Sequence, residues 1–149
     1  MSCVYRETPI NYLRELSHRI FDQLGFGFSE KVYQKALVRE LQYRYPNIES
    51  EYSIPQYYIT STGERIQLTV LKVDIWIAGQ GILIELKTVQ RGLNKGSKEW
   101  LQLERYSKIL GAEVKHKYLI NFGLLDVEII DESEDIELKS NNNNNNNGD

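Results

Sequence analysis

The sequence predicts an α/β domain, a small sheet flanked by helices, and three observations predict it. Two stretches of helical periodicity open the chain. A run of alternating apolar and polar residues fills its middle, and one more helical stretch divides that run from two short closing strands. With 41% hydrophobic and 26% charged residues over 149 positions, the chain has the make-up of one globular domain with its own core.

The elements follow in order. Thr8-Pro9 marks a helix start, with Thr8 at the cap and Pro9 at the first helical position. Ile10, Leu13, Ser17, Ile20, Phe21 and Leu24 recur at helical spacing, and Gly25 ends the run. After the corner Gly25-Phe26-Gly27, the residues Phe28, Val32, Ala36, Leu37 and Leu41 predict a second helix with an apolar stripe reaching about Tyr45. From Glu51 the pattern turns strand-like, and Pro55 places that strand at a sheet edge. Ile66, Leu68 and Val70 alternate, then Leu71, Val73, Ile75 and Ile77 alternate in the other phase, which predicts a bulge between Val70 and Leu71. A tight turn over Ala78–Gly81 leads to a strand over 82–89. A polar loop precedes a helix from about Ser97 to Leu110, stopped at Gly111, and two strands close the domain over 118–120 and 127–130.

The domain is expected to span residues 1–131, followed by an acidic and poly-asparagine tail, 132–149, too poor in apolar side chains to offset the entropy of ordering. The net charge of −3 hides an asymmetry. Asp126, Glu128, Asp131, Glu132, Glu134, Asp135, Glu137 and Asp149 are eight of the 21 acids, and only Lys139 among the 18 Lys and Arg lies beyond residue 125. Residues 1–125 therefore carry a surplus of four positive charges, a balance that admits nucleic acid as partner without requiring it. No apolar run approaches the roughly 20 residues of a spanning helix. Met1 to Arg6 lacks the apolar core of a secretory signal, and the lone Cys3 can form no internal disulfide. The expectation is an intracellular protein, cytoplasmic or nuclear, with no membrane partner.

The turn at Gly79-Gln80 carries the chemistry. If those two residues form the loop, Ala78 pairs with Gly81 and Asp74 stands directly across from Glu85, at a Cβ separation of about 4.5–5.5 Å. Lys87, two residues on, shares the face of Glu85. Val73, Ile75, Leu83, Ile84 and Leu86 surround these groups, so the hairpin should be buried. Two carboxylates there repel unless a cation lies between them, and a hard divalent ion with oxygen ligands, Mg²⁺ or Mn²⁺, meets that need. A surface pairing of Glu85 with Lys87 or Lys72 is the plain alternative, and a three-residue loop would break the Asp74–Glu85 register.

Asp74 followed by Glu85-Leu86-Lys87 resembles the D…ExK core of the PD-(D/E)XK nuclease superfamily. Gly27-Phe28-Ser29-Glu30-Lys31-Val32-Tyr33 fits the motif of its GxxExxY group. Gln102 to Tyr106 resembles the group's Q-x-x-x-Y helix, and Leu119 to Gly123 its closing strand and turn; the resemblance covers roughly residues 10–125. A proline common in the group's glycine corner is replaced by Phe26, and residues 59–72 are longer and more polar than expected. The resemblance implies a restriction-endonuclease-like mixed sheet and metal-dependent hydrolysis of nucleic acid, chiefly DNA. Glu30, Asp74, Glu85 and the Leu86 carbonyl would be metal ligands, Lys87 would orient the attacking water, and Gln102 would support the site. Arg91, Lys95, Lys98 and Tyr106 would meet the nucleic acid, the three cations through its phosphates. A nuclease fold that binds nucleic acid or a protein partner without turnover is the competing expectation.

Overall fold

The computed structural model describes residues 8–132. Helices α1 (Pro9–Leu24) and α2 (Glu30–Gln42) come first, then strands β1 (Glu49–Ile59), β2 (Arg65–Ile77) and β3 (Ile82–Lys87). Helix α3 (Lys98–Leu110), a short 3₁₀ turn, and strands β4 (His116–Phe122) and β5 (Val127–Ile130) complete it. The five strands form one mixed sheet in chain order. Neighbours are antiparallel except β3 and β4, which run parallel through the α3 crossover. Pro55 lies on the edge strand β1, as its missing donor requires.

The alternation of apolar residues sends side chains into two cores, one on each face. Leu13, Leu16 and Ile20 of α1 and Tyr33, Leu37 and Leu41 of α2 pack against Ile75, Ile84, Leu86 and Phe122. On the other face, Trp100, Leu103 and Tyr106 of α3 pack against Val73, Trp76, Leu83 and Leu119. β3 therefore lies between two layers, and its near-continuous apolar run suits a central, partly parallel strand. Gly81 joins the hairpin turn to β4: its carbonyl accepts the N–H groups of Lys115 and His116, at 2.8 and 3.0 Å. At φ 66°, a Cβ there would collide with the Glu113 carbonyl oxygen, so the turn needs glycine.

Three expectations are corrected. α2 begins at Glu30, which rotates its buried stripe to Tyr33, Leu37 and Leu41 and leaves Phe28 and Val32 exposed. The register irregularity of β1 and β2 lies between Gln56 and Tyr57, opposite Gln67 and Thr69, rather than at Val70 and Leu71. The change of face along β2 comes instead at Asp74: Leu71 and Val73 join the α3 core, whereas Ile75 and Ile77 join the other. The β1 residue opposite Asp74, between the pairs Ser50↔Ile75 and Tyr52↔Val73, is Glu51, in the left-handed region at φ 53°. A local twist there carries the strand from one face to the other. β3 also ends at Lys87, two residues earlier than expected. Among the described residues, no helix is long and apolar enough to cross a membrane. All of the acidic and poly-asparagine stretch except Glu132 lies outside the described residues.

Candidate functional site

The turn over Ala78–Gly81 sets the register Ile77↔Ile82, Trp76↔Leu83 and Ile75↔Ile84, as the two-residue loop requires. The backbone ladder stops there, one step short of Asp74 and Glu85. Side chains take over from it. The Asp74 N–H donates to Glu85 Oε1 at 3.0 Å, and the Leu86 N–H donates to Asp74 Oδ2 at 2.7 Å. Each carboxylate is thus held by the opposite strand through one oxygen and keeps the other for a further partner.

Glu85 is 3% exposed, beneath Tyr106 of α3, and Glu30 at the start of α2 reaches the Asp74 carboxyl and shares a hydrogen bond with it. Burial, and then the Asp74 charge, push Glu85 up to about 8. The same two causes push Glu30 up to about 6. Asp74 is raised as well, chiefly by burial, against the Leu86 N–H, which favours its charged form. Lys87, half-buried beside them, pulls all three downward by its positive charge. The fold therefore gathers Glu30, Asp74, Glu85 and Lys87 from three elements into one acidic site.

Gln102 donates to the Tyr106 hydroxyl at 2.7 Å, one helical turn along α3. Burial and the Glu85 charge both raise Tyr106, so this pair backs the acidic site from the α3 side. The loop cations are already engaged. Arg91 pairs with the buried Glu99. Lys95 donates to the Glu132 carbonyl at 2.7 Å and lies over the Trp100 ring. Lys98 is exposed at the start of α3. Leu86 buries its side chain in the core that α1 and α2 cover. His18 faces Asp126 on the surface, and His116 stacks on Tyr118, both away from this site.

Sequence reasoning missed two residues that belong here. Gln34 donates to Glu51 Oε1 and to the Asp74 carbonyl, both at 3.2 Å, and so ties α2 to the strands that carry the acids. It lies one helical turn beyond Glu30, a spacing that could have revealed it. The Glu51 charge acts on both Glu30 and Asp74. No pattern in the sequence marks it, because its place depends on a left-handed backbone within a strand. The motif tyrosine Tyr33 is wholly buried, stacks on Phe122, and donates to the Gly25 carbonyl, which fixes the glycine corner before Glu30. Asn121 accepts from the Val89 N–H and donates to the Val89 carbonyl and Glu128, which holds the chain leaving β3.

The comparison with known families matches residues 9–131 to a model of the PD-(D/E)XK nuclease superfamily. The chain belongs to the PD-(D/E)XK nuclease superfamily. Members of that superfamily generally use divalent metals and act on nucleic acids. The five-stranded mixed sheet with its three helices has the restriction-endonuclease-like fold of the superfamily. No curated protein matches. Among solved structures, one titled "Crystal structure of SSO0001" is 18% identical at a TM-score of 0.47, covering 79% of this chain. This chain spans 60% of the length of that one.

The donor set suits a hard cation. Carboxylate oxygens, and no sulfur or imidazole, converge on a buried place where burial opposes their charge. Among the described residues, no group of three or more His, Cys, Asp or Glu side chains is placed so that it could hold a metal ion.

Proposed function

We propose that this chain is a nuclease of the GxxExxY group that hydrolyses phosphodiester bonds of DNA with Mg²⁺ or Mn²⁺. The observation that carries the proposal is the end of the β2–β3 ladder. Asp74 and Glu85 replace backbone pairing there with carboxylates whose charged forms burial disfavours unless a cation offsets them.

Asp74 and Glu85, with Glu30 and the Leu86 carbonyl, would hold the ion. When bound, it supplies a Lewis acid for the phosphoryl oxygen and lowers the cost of generating hydroxide at neutral pH. Lys87 orients the attacking water and offers positive charge to the oxygens that become more negative in the transition state. The Leu86 N–H and the Asp74 N–H hold the two carboxylates so that little reorganisation is left at the moment of reaction. Gln102, through Tyr106, positions Glu85. Arg91, Lys95 and Lys98 meet phosphates beyond Lys87, Arg91 by exchanging Glu99 for the nucleic acid.

Cleavage of plasmid and linear DNA with and without Mg²⁺ tests the proposal. Wild type should cut only with metal, and Asp74→Ala should fall by at least about 10²-fold. Equal cutting by both chains removes this site from the reaction.

One observation favours a second reading, a binding module without turnover: one oxygen of each central acid is already taken by a backbone N–H, and no group of three acids among the described residues is placed so that it could hold a metal ion. That module would bind DNA equally well in Mg²⁺ and in EDTA and would be indifferent to Glu85→Gln. Metal-dependent cutting lost in that variant eliminates it.

A further inference from the structure

The exposed face of α2 carries three cations in register. Lys31, Lys35 and Arg39 follow one another at intervals of four residues, so each stands above the last on the same side of the helix. All three are exposed and line a groove between α2 and β1, whose far wall is Ser50 and Glu51. Gln34 lines this groove and also bonds Glu51 and the Asp74 carbonyl, so the groove adjoins the acidic site. Among the described residues neither Lys31 nor Lys35 has an acidic partner, and Arg39 touches only neutral groups, the Gln42 amide at 3.4 Å and the face of Tyr43. The loop cations differ: Arg91 and Lys95 already hold Glu99 and the Glu132 carbonyl.

Three exposed cations on one helix, side by side and without an acidic partner bonded to any of them among the described residues, repel each other, and nothing in the core requires them. A polyanion running along the groove resolves that repulsion. The helix rises about 1.5 Å per residue, so the stripe is roughly 12 Å long and each step roughly 6 Å. Three cations along such a stripe can neutralise about three phosphates of one strand. The groove lining (Ala36, Val38 and Gln42 beside the cations) holds no aromatic ring on which an unpaired base could stack. That favours a backbone held by its charge within a duplex over a bound single strand.

We infer that the α2 groove is the track for one strand of a DNA duplex, which Lys31, Lys35 and Arg39 hold by its phosphates as it leads into the acidic site. The inference rests on the nuclease reading for its substrate but not for its test. Anisotropy of a labelled duplex of about 20 base pairs, titrated from about 50 to 200 mM salt with Ca²⁺ present, measures the number of phosphates neutralised. Against wild type, the variant Lys31→Gln, Lys35→Gln, Arg39→Gln should bind roughly 10- to 100-fold more weakly at the lower salt, with the log–log slope shallower by about 2 to 3. A thermal melt coincident with wild type shows that the variant is folded, as expected for exposed helical positions.

A folded variant with unchanged slope overturns the track, and so does a wild-type preference for a single strand over the duplex. If wild type binds with the full slope but cuts nothing in Mg²⁺, the nuclease reading fails and the track stands. The two failures are therefore distinct.

Discussion

At the scale of single residues, Glu85 is where folding and chemistry oppose each other most. It is buried under α3, faces another acid, and is pushed up to about 8 by those two causes, burial first. The folded, metal-free chain therefore binds a proton at Glu85 more tightly than the unfolded chain does. The sign follows: this contribution to stability is fully present below the ordinary glutamate range and is lost as pH rises through about 8. Glu85→Gln keeps the shape and an oxygen to accept the Asp74 N–H, but it removes the titration. In EDTA near pH 8 the variant should be more stable than wild type, on the order of a few kcal/mol by urea unfolding. The two should converge near pH 5. A variant less stable than wild type at pH 8 would show that Glu85 is ionised and well solvated by its surroundings. Of the site residues, Asp74, Glu85 and Lys87 were legible because a two-residue turn fixes their register. Glu51 was not, because a positive φ inside a strand leaves no trace in residue type.

At the scale of elements, the β2–β3 hairpin succeeds because its turn is locked at both ends. Gly81 supplies a left-handed backbone for the turn and a carbonyl for two N–H groups that start β4. Gly81→Ala must then move the Glu113 carbonyl or strain the turn, and should cost about 2–3 kcal/mol, read as a lower denaturation midpoint with an unchanged slope. A neutral substitution would mean that the turn has other ways to close. Helix boundaries were less legible than strand register. The apolar residues Phe28 and Val32 suggested an earlier start for α2 and a different stripe, whereas Tyr33 decides the outcome by stacking on Phe122 and bonding to Gly25. Phe122 is 89 residues further along the chain, so no local pattern could show that choice.

At the scale of the whole molecule, two cores press three elements together around one acidic site, and the cost of that assembly depends on protons and cations. Glu30, pushed up to about 6, adds to the effect of Glu85 at about 8. In EDTA the melting temperature should therefore fall as pH rises from about 5 to 8, since the folded state holds more protons than the unfolded state throughout that window. Mg²⁺ should displace those protons, stabilise the fold by mass action, and raise the melting temperature more at pH 8 than at pH 5. A metal shift independent of pH, or absent, would place the ion elsewhere or remove it. The basic surplus of residues 1–125 finds its clearest expression in the groove of α2, and the acids beyond it fall partly outside the described residues.

The sequence by itself determined the α/β order, the edge position of Pro55, the Asp74–Glu85 register and the companionship of Gln102 with Tyr106. Each of these follows from spacing within one element or across one tight turn, where few backbone geometries are allowed. Only the tertiary structure decided which helix face is buried, where β2 changes sides, and that Glu30, Glu51 and Gln34 meet the hairpin. Those outcomes depend on contacts between segments far apart in the chain, and packing two cores against one sheet selects them over what each segment would favour alone.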